Sequence, residues 1–197
     1  MPFSWTDLDH RLFACLYGGG LPPLAREAVR AVTFCGSGWA MFLIVPFLFR
    51  AKTRSFAVAL TTTLVATAAI VFVTKALVGR PRPFVALPGV VALFDSPRDP
   101  SFPSGHAAGA FATAAFLAVT LRRAVDGGLA SRASANVAAV LLFVAATCIG
   151  VSRVILGVHF PLDVVGGAFV GGMAGVVGAR MHGARTRIVV SAERSAR

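Results

Sequence analysis

Three polar residues interrupt an otherwise apolar, glycine-rich stretch of the chain, "GVSRVILGVHFPLDVVGG" at residues 150–167. His159 follows Arg153 by six residues, and Asp163 stands four residues after His159. Pro161 suits the first position of a helix, so the Asp163 carboxylate can reach back to one imidazole nitrogen across the first turn. Such a partner fixes the tautomer and leaves the other nitrogen free to act as a nucleophile. A structural His–Asp pair that caps the helix is the alternative interpretation.

A second polar cluster is "SFPSGHAAG" at residues 101–109. Ser104 is a favourable N-cap, which predicts that Gly105 and His106 open a helix. The first amides of a helix are unpaired and lie at the positive end of its dipole. The Ser104 hydroxyl and the amides of Gly105 and His106 are therefore a candidate anion site. A plain helix cap beside an interfacial histidine is the alternative.

The third cluster is "KALVGRPRP" at residues 75–83. Lys75 and Arg82 flank a rigid proline turn, which would fix the direction of both cations. A phosphate suits such a pair, because arginine binds it through a planar fork and lysine as a point charge. Each basic residue taken alone could instead reach to the membrane interface, and for Arg80 in particular that role is sufficient.

Together the three clusters are typical of phosphoryl transfer through a phosphohistidine, with cations stabilising the equatorial oxygens. They offer little for a metal ion. His106 and His159 are 53 residues apart, and the nearby carboxylate, Asp163, is better used to orient His159. We therefore expect no metal and no cofactor.

The elements that position these residues are predicted to be membrane helices. Of the 197 residues, 56% are hydrophobic and 14% are charged, whereas soluble domains carry about a quarter charged residues. The sequence predicts an all-α integral-membrane bundle of about five transmembrane helices. The candidate spans are approximately Ala28–Phe49, Ser55–Val78, His106–Leu121, Ser134–Gly150 and Phe160–Ala179. Residues 1–20 mix apolar and charged residues at helical spacing, which predicts an amphipathic helix at the interface.

The net charge of +11 orients the protein rather than indicating a nucleic-acid partner. Five spans place residues 50–54, 122–133 and 180–197 on one side, and eleven of the nineteen basic residues lie there. The positive-inside rule then predicts a multi-pass protein of the inner (plasma) membrane with a cytoplasmic C-terminus. The three polar clusters would meet at the opposite mouth, which faces the periplasm or exterior.

The chain divides into three predicted parts: the interfacial segment 1–20, a membrane domain 21–182, and a basic cytoplasmic tail 183–197. Residues 79–105, with six prolines, are predicted to be a long functional loop. Gly167, Gly171 and Gly175 recur every four residues, which allows close helix approach. That approach is either within the bundle, which we favour, or in a homo-oligomer.

The three clusters, in this order, resemble the signature motifs of the type-2 phosphatidic acid phosphatase superfamily, which includes bacterial acid phosphatases and vanadium haloperoxidases. The matching residues are the Lys and Arg-Pro of "KALVGRPRP", "PSGH", and the Ser-Arg, His and Asp of "SRVILGVHFPLD". The resemblance implies that His159 is the nucleophile, that Asp163 orients it, and that His106 is the general acid and then the general base. It also implies phosphate binding by Lys75, Arg82, Ser104, Gly105 and Arg153, without a metal. Some membrane members have an additional N-terminal span, whereas this chain is expected to have only the interfacial segment there.

The leading hypothesis is a phosphatase that hydrolyses a membrane lipid phosphate or diphosphate at the outer membrane face. The candidate substrates are a polyprenyl diphosphate (such as undecaprenyl diphosphate), which we rank slightly first, phosphatidic acid and phosphatidylglycerol phosphate. One alternative is a phosphotransferase that passes the phosphoryl group from the lipid to another acceptor. Another is a non-enzymatic transporter or binding protein for lipid phosphates, which would not need His159 and Asp163 in register with the other clusters. A haloperoxidase-like activity would need vanadate and a soluble chain, so the hydropathy disfavours it.

Overall fold

The computed structural model describes residues 5–37 and 44–195, with side chains for 6–37 and 44–183. The described residues form helices and connecting loops. The helices are α1 (Trp5–Leu16), α2 (Pro23–Cys35), α3 (Val45–Leu48), α4 (Ala51–Val78), α5 (Pro83–Ala86), α6 (Gly105–Asp126), α7 (Arg132–Ile155) and α8 (Pro161–Ser195). The prediction of an all-α protein is confirmed.

Four segments of the described chain are long and apolar enough to cross a membrane: Ala51–Ala86, Gly105–Asp126, Arg132–Ile155 and Pro161–Gly183. They correspond to α4 with α5, α6, α7 and the first two thirds of α8. These are the last four of the five predicted spans. Many large apolar side chains on these helices are exposed, Phe72 by 74% and Phe169 by 71%, as expected of surfaces that face lipid.

In the region of the first predicted span, Ala28–Phe49, the structure has two helices, α2 and α3, instead of one. The last turn of α2 lies at the site end of the bundle, where Thr33 accepts a hydrogen bond from Arg153 at the end of α7. α3 lies at the opposite end, where the Thr53 hydroxyl near the start of α4 donates to the Phe47 carbonyl at 2.9 Å. Residues 38–43 lie outside the described residues, so a membrane crossing by this region stays a prediction.

The glycines of α8 allow this helix to lie directly against α6. A Cβ on Gly167, Gly171 or Gly175 would overlap the carbonyl oxygen of Ser104, Ala108 or Ala112, respectively. Small residues of this kind let two membrane helices approach closely. The favoured interpretation, packing within one bundle, matches these contacts, and homo-oligomerisation stays a prediction.

α6 is the central helix of the bundle and packs against α4, α7 and α8. At the end away from the three polar clusters, Phe116 of α6 packs with Leu60 and Leu64 of α4 and Ala179 of α8. At the other end, Phe13 of α1 packs against residues of α7 and α8. The predicted domain boundary at residues 182 and 183 falls inside α8, and the division into three parts stays a prediction.

Candidate active site

The three polar clusters lie together at one end of the bundle, where α4 ends, α6 begins, α7 ends and α8 begins. Gly79 ends α4 in the left-handed conformation, with φ 62°, and its amide donates to the Lys75 carbonyl. Most of the residues singled out in the sequence line one cavity of about 780 Å³: Lys75, Arg82, Gly105, His106, Arg153 and His159. Ser104 and Asp163 lie behind its wall and are fully buried.

His159 and Asp163 are placed as their spacing predicts. The Nδ1 atom of His159 lies 3.4 Å from Oδ2 of Asp163, and neither side chain is more than 3% exposed. The same carboxylate oxygen accepts the amide of Phe160 at 2.8 Å, which holds it at the N-terminus of α8. The other ring nitrogen, Nε2, lies 3.3 Å from Nη1 of Arg82. This arrangement favours the tautomer with its proton on Nδ1 and its lone pair on Nε2, in the cavity.

The environment of His159 keeps the imidazole neutral. Burial lowers the pKa of His159 to about 4, with the Arg82 and Arg153 cations adding to the lowering and Asp163 opposing it. Because this pKa lies below the ordinary value of 6.5, the ring is unprotonated at neutral pH and gains a proton only as the pH falls toward 4. An unprotonated Nε2 is what a nucleophile requires.

Lys75 and Arg82 both bind Asp99, a residue of the proline-rich loop. The Lys75 ammonium lies 2.6 Å from Oδ2 of Asp99, and Nη2 of Arg82 lies 2.9 Å from Oδ1. Loop carbonyls hold the same cations, since Lys75 donates to Pro100 and Nε of Arg82 donates to Asp99 at 2.8 Å. Burial raises the pKa of Asp99, but Lys75 and Arg82 outweigh it, so that the pKa lies below its ordinary value. An anionic carboxylate thus occupies the position expected for a phosphate.

Arg153 reaches the cavity from the last turn of α7 and is paired in a similar way. One terminal nitrogen lies 3.1 Å and 3.2 Å from the two carboxylate oxygens of Asp95, and the other donates to the Thr33 hydroxyl at 3.0 Å. The arginine is only 2% exposed, whereas the Asp95 side chain is 42% exposed. A buried cation is therefore balanced by a carboxylate that can turn toward water.

Ser104 caps α6 as predicted, and its hydroxyl accepts from the Ala107 amide at 3.5 Å. Its own amide donates to the Asp163 carbonyl at 2.9 Å, which ties the start of α6 to the start of α8. Gly105 and His106 line the cavity, and Gly105 is exposed to it. Ser104 lies behind the cavity wall. As the cap, its hydroxyl accepts a hydrogen bond, so its own proton stays available for the predicted contact with a phosphate.

Arg80 is not merely an interfacial cation, which corrects the interpretation from sequence. Its Nη1 lies 2.7 Å from Oδ1 of Asp163, its Nη2 pairs with Asp9 of α1, and its guanidinium lies 4.3 Å above the Phe160 ring. Sequence reasoning therefore missed Arg80 and Asp9, and it left Asp95 and Asp99 unassigned. The signal for Asp9 is its register in α1, since it shares a helical face with Phe13, which is buried.

The cavity continues from these charged residues into an apolar groove. α6 forms its back through Ala108, Gly109 and Thr113, and α4 and α7 form its sides. The remaining lining residues of the two side helices are mostly aliphatic: Leu60, Leu64, Thr67, Ala68, Val71 and Phe72 on α4, and Leu142, Ala145, Ala146 and Ile149 on α7. A cationic mouth is thus joined to an apolar groove that runs along the membrane helices.

Metal ligands are not grouped in the part of the chain that the structure describes. Within it, no three His, Cys, Asp or Glu side chains are arranged to hold a metal ion. The carboxylates near the site, Asp95, Asp99 and Asp163, are instead paired with basic residues. Metal independence stays a prediction.

The fold and the site together define a helical membrane protein with a histidine, a carboxylate and several cations at one end of the bundle. The sequence matches the profile of the PAP2 superfamily over residues 56–187, which is more than half of the chain. The chain therefore belongs to the PAP2 superfamily.

Two of the solved structures that resemble this one come from Bacillus subtilis and Aquifex aeolicus. One is described as the first transmembrane PAP2 type phosphatidylglycerolphosphate phosphatase from Bacillus subtilis. It is 23% identical over 89% of this chain and 85% of that chain, with a TM-score of 0.74, and this likeness shows the fold. The other is LpxE of Aquifex aeolicus, which is 29% identical over 90% of this chain and 96% of that chain, with a TM-score of 0.69. No curated protein matches the chain.

Proposed function

We propose that this protein is a membrane phosphatase that hydrolyses a lipid phosphate or diphosphate through a phosphohistidine on His159. The observation that carries the proposal is the setting of His159. Its Nδ1 faces Asp163 and its Nε2 lies beside Arg82 in a cavity with a cationic mouth and an apolar groove. Membership of the PAP2 superfamily supports the same class of reaction.

In the first step, Nε2 of His159 attacks phosphorus and forms a P–N bond. The P–O bond to the lipid oxygen breaks (in a diphosphate, the bond to the inner phosphate), and His106 protonates the departing oxygen. Lys75, Arg82 and Arg153, together with the first amides of α6, stabilise the charge on the equatorial oxygens. The Asp163 carboxylate stabilises the positive charge that develops on the imidazole.

In the second step, water replaces the histidine. His106, now unprotonated, takes a proton from water as its oxygen attacks phosphorus, and the P–N bond breaks. Inorganic phosphate leaves, His159 is again neutral, and the proton on His106 serves the next leaving group. A phosphotransferase would differ only in the acceptor that replaces water.

The groove supports a substrate with a long hydrocarbon chain. Leu60 and Lys75 line the same cavity and are fifteen residues apart on α4, which corresponds to about 22 Å along the helix axis. A water-soluble phosphate ester needs no such surface. Polyprenyl diphosphates, phosphatidic acid and phosphatidylglycerol phosphate all have chains that suit it, and we rank the polyprenyl diphosphate slightly first. The substrate of the Bacillus subtilis neighbour is among these classes.

We place the site at the periplasmic or outer face of the inner (plasma) membrane, with the C-terminus in the cytoplasm. The distribution of basic residues supports this orientation. The end of the bundle away from the site carries Arg50, Lys52, Arg54, Arg122, Arg123, Arg132 and Arg180. We also propose that the reaction needs no metal, because the cations described here can neutralise the phosphate.

The test is phosphate release by the purified protein, in the presence of EDTA, from a panel of lipid phosphates and diphosphates with short and long chains. Wild type, His159→Ala and the control His182→Gln, about six helical turns from the start of α8, are compared. We expect release by wild type and the control, loss of at least about a thousandfold in His159→Ala, and higher kcat/KM for long chains.

Other results of this experiment would each contradict a specific part of the proposed function. Release by His159→Ala at the wild-type rate would overturn the role of His159. Release that stops with EDTA and returns with a divalent ion would overturn metal independence. Transfer of phosphate to an added alcohol in preference to water would indicate the phosphotransferase. Binding of lipid phosphates without turnover of any would indicate the transporter or binding protein.

A further inference from the structure

The N-terminal helix α1 places a carboxylate behind the proposed nucleophile. Asp9 is 1% exposed, and its two oxygens have separate partners on the site side of the bundle. Oδ2 pairs with Nη2 of Arg80, and Oδ1 accepts the amide of Leu162 at 2.9 Å, in the first turn of α8. That turn also carries Asp163.

We propose that Asp9 is a positioning residue for the reaction, acting through Arg80 and Asp163 on His159. Arg80 joins the two carboxylates, since it binds Asp9 with one terminal nitrogen and Asp163 with the other. Asp163 in turn lies against Nδ1 of His159. This inference rests on the proposed function, because it assigns Asp9 a part in the chemistry of His159.

Attachment of α1 does not require a buried carboxylate. Phe13 of this helix is 1% exposed and packs edge-to-face on Phe160, with ring centroids 5.4 Å apart. Immediately after the helix, Gly18 donates to the Ile155 carbonyl, and the Tyr17 hydroxyl bonds to Val91. These contacts attach α1 to the bundle, whereas burial of a carboxylate is costly unless it is fully paired. Of the two groups that pair with Asp9, Arg80 also binds Asp163, and the other is the amide of the residue just before Asp163.

The charges give Asp9 a specific effect. Arg80 is the shared cation of two fully buried carboxylates, Asp9 and Asp163, so these three groups carry one net negative charge. When Nε2 of His159 bonds to phosphorus, positive charge develops on the imidazole, and the net negative charge next to Nδ1 stabilises it. Without the Asp9 charge, the charges of Arg80 and Asp163 cancel, and these three side chains together are neutral.

Asp9→Asn tests this effect with little change in shape, because an asparagine oxygen can still accept the Leu162 amide. The control is Asp7→Asn, the same substitution at an exposed position of the same helix. Lipid phosphate hydrolysis is measured for both. We expect Asp9→Asn to lower kcat by about tenfold to a hundredfold with KM within twofold of wild type, and Asp7→Asn to leave both unchanged. Asp9→Glu should recover part of the loss.

A double-mutant cycle shows whether Asp9 acts through Arg80. In an Arg80→Gln background, Asp9→Asn should change kcat less than twofold, because the connecting group is already absent. Unfolding temperatures of all variants identify any that lose rate through loss of structure. If Asp9→Asn is folded and keeps the wild-type kcat, or if its effect multiplies fully with that of Arg80→Gln, the inference is wrong. Either result leaves the proposed function intact, provided His159→Ala remains inactive.

Discussion

At the scale of single residues, the cations of the site have two kinds of partner. Main-chain carbonyls of the loop accept hydrogen bonds from Lys75 and Arg82. Because these carbonyls belong to the backbone, they fix the orientation of both side chains. The Asp99 carboxylate completes the arrangement, but its side chain is 53% exposed. We therefore expect a phosphate to replace the carboxylate while the carbonyls keep both cations in position.

This arrangement predicts that Asp99 weakens binding of phosphate. Asp99→Asn removes a negative charge that competes for Lys75 and Arg82, so we expect the inhibition constant of inorganic phosphate to fall by up to about tenfold, the effect of one partly exposed ion pair. It is measured by competition with lipid phosphate hydrolysis at fixed ionic strength. The control is Asp126→Asn, at the far end of α6, which should leave the constant unchanged. An unchanged or larger constant in Asp99→Asn would show that the carboxylate aligns the cations more than it competes with phosphate.

The sequence predicted the polar residues that line the cavity and the pairing of His159 with Asp163, but not the carboxylates that pair with the cations. Helix ends and spacing located His159, Asp163 and the Ser104 cap, because these contacts lie within one turn of a helix. The pairings of Asp9, Asp95 and Asp99 join positions that are 17 to 71 residues from their basic partners. Neither hydropathy nor local spacing contains that information, since it depends on how the loop and α1 fold back on the bundle.

At the scale of elements, the closest packing is between α6 and α8, and glycines make it possible. Because the Ala108 carbonyl occupies the space beside Gly171, a methyl group there has to push two helix backbones apart.

Gly171→Ala is therefore expected to lower the free energy of unfolding by about 1–3 kcal/mol, the usual effect of overpacking. Gly172→Ala is the matched control, because a Cβ at Gly172 meets no atom within 4 Å. It should leave the stability unchanged or slightly raise it. Thermal unfolding of both variants in the same detergent provides the comparison. Equal unfolding temperatures would mean that α6 and α8 are not held as closely as described.

The elements themselves were largely predictable. α4, α6, α7 and α8 are long, apolar and bounded by caps or charged turns, which is the strongest signal that a membrane sequence contains. The region of α2 and α3 was predicted as one span because its hydropathy is continuous. Gly36 and Ser37, however, follow the end of α2, and Pro46 lies in the first turn of α3. Hydropathy averages over such interruptions and does not report them.

At the scale of the whole molecule, the two ends of the bundle differ in charge. Among the described residues, the ion-paired aspartates lie at the site end, and the opposite end is rich in arginine. This asymmetry is the basis of the proposed orientation.

The orientation is tested with single cysteines in a variant that lacks Cys15, Cys35 and Cys148. Ser96→Cys places a thiol in the exposed loop at the site end, and Leu129→Cys places one in the turn between α6 and α7, where Leu129 is 86% exposed. In intact cells or right-side-out vesicles, we expect a membrane-impermeant maleimide to label Ser96→Cys and not Leu129→Cys. Labelling after detergent treatment shows that both thiols are reactive. The reverse pattern in intact membranes would invert the topology.

For the proposed lipid substrate, we expect the apolar groove beside the cationic mouth to make the rate depend on the substrate concentration in the membrane instead of in solution. Its lining includes Phe72, which is 74% exposed, so we expect a hydrocarbon chain to enter sideways without leaving the bilayer. A substrate that arrives in this way diffuses in two dimensions. The turnover rate should then follow the mole fraction of substrate in its leaflet. Adding inert phospholipid would slow the reaction even when the amount of substrate per volume of solution stays the same.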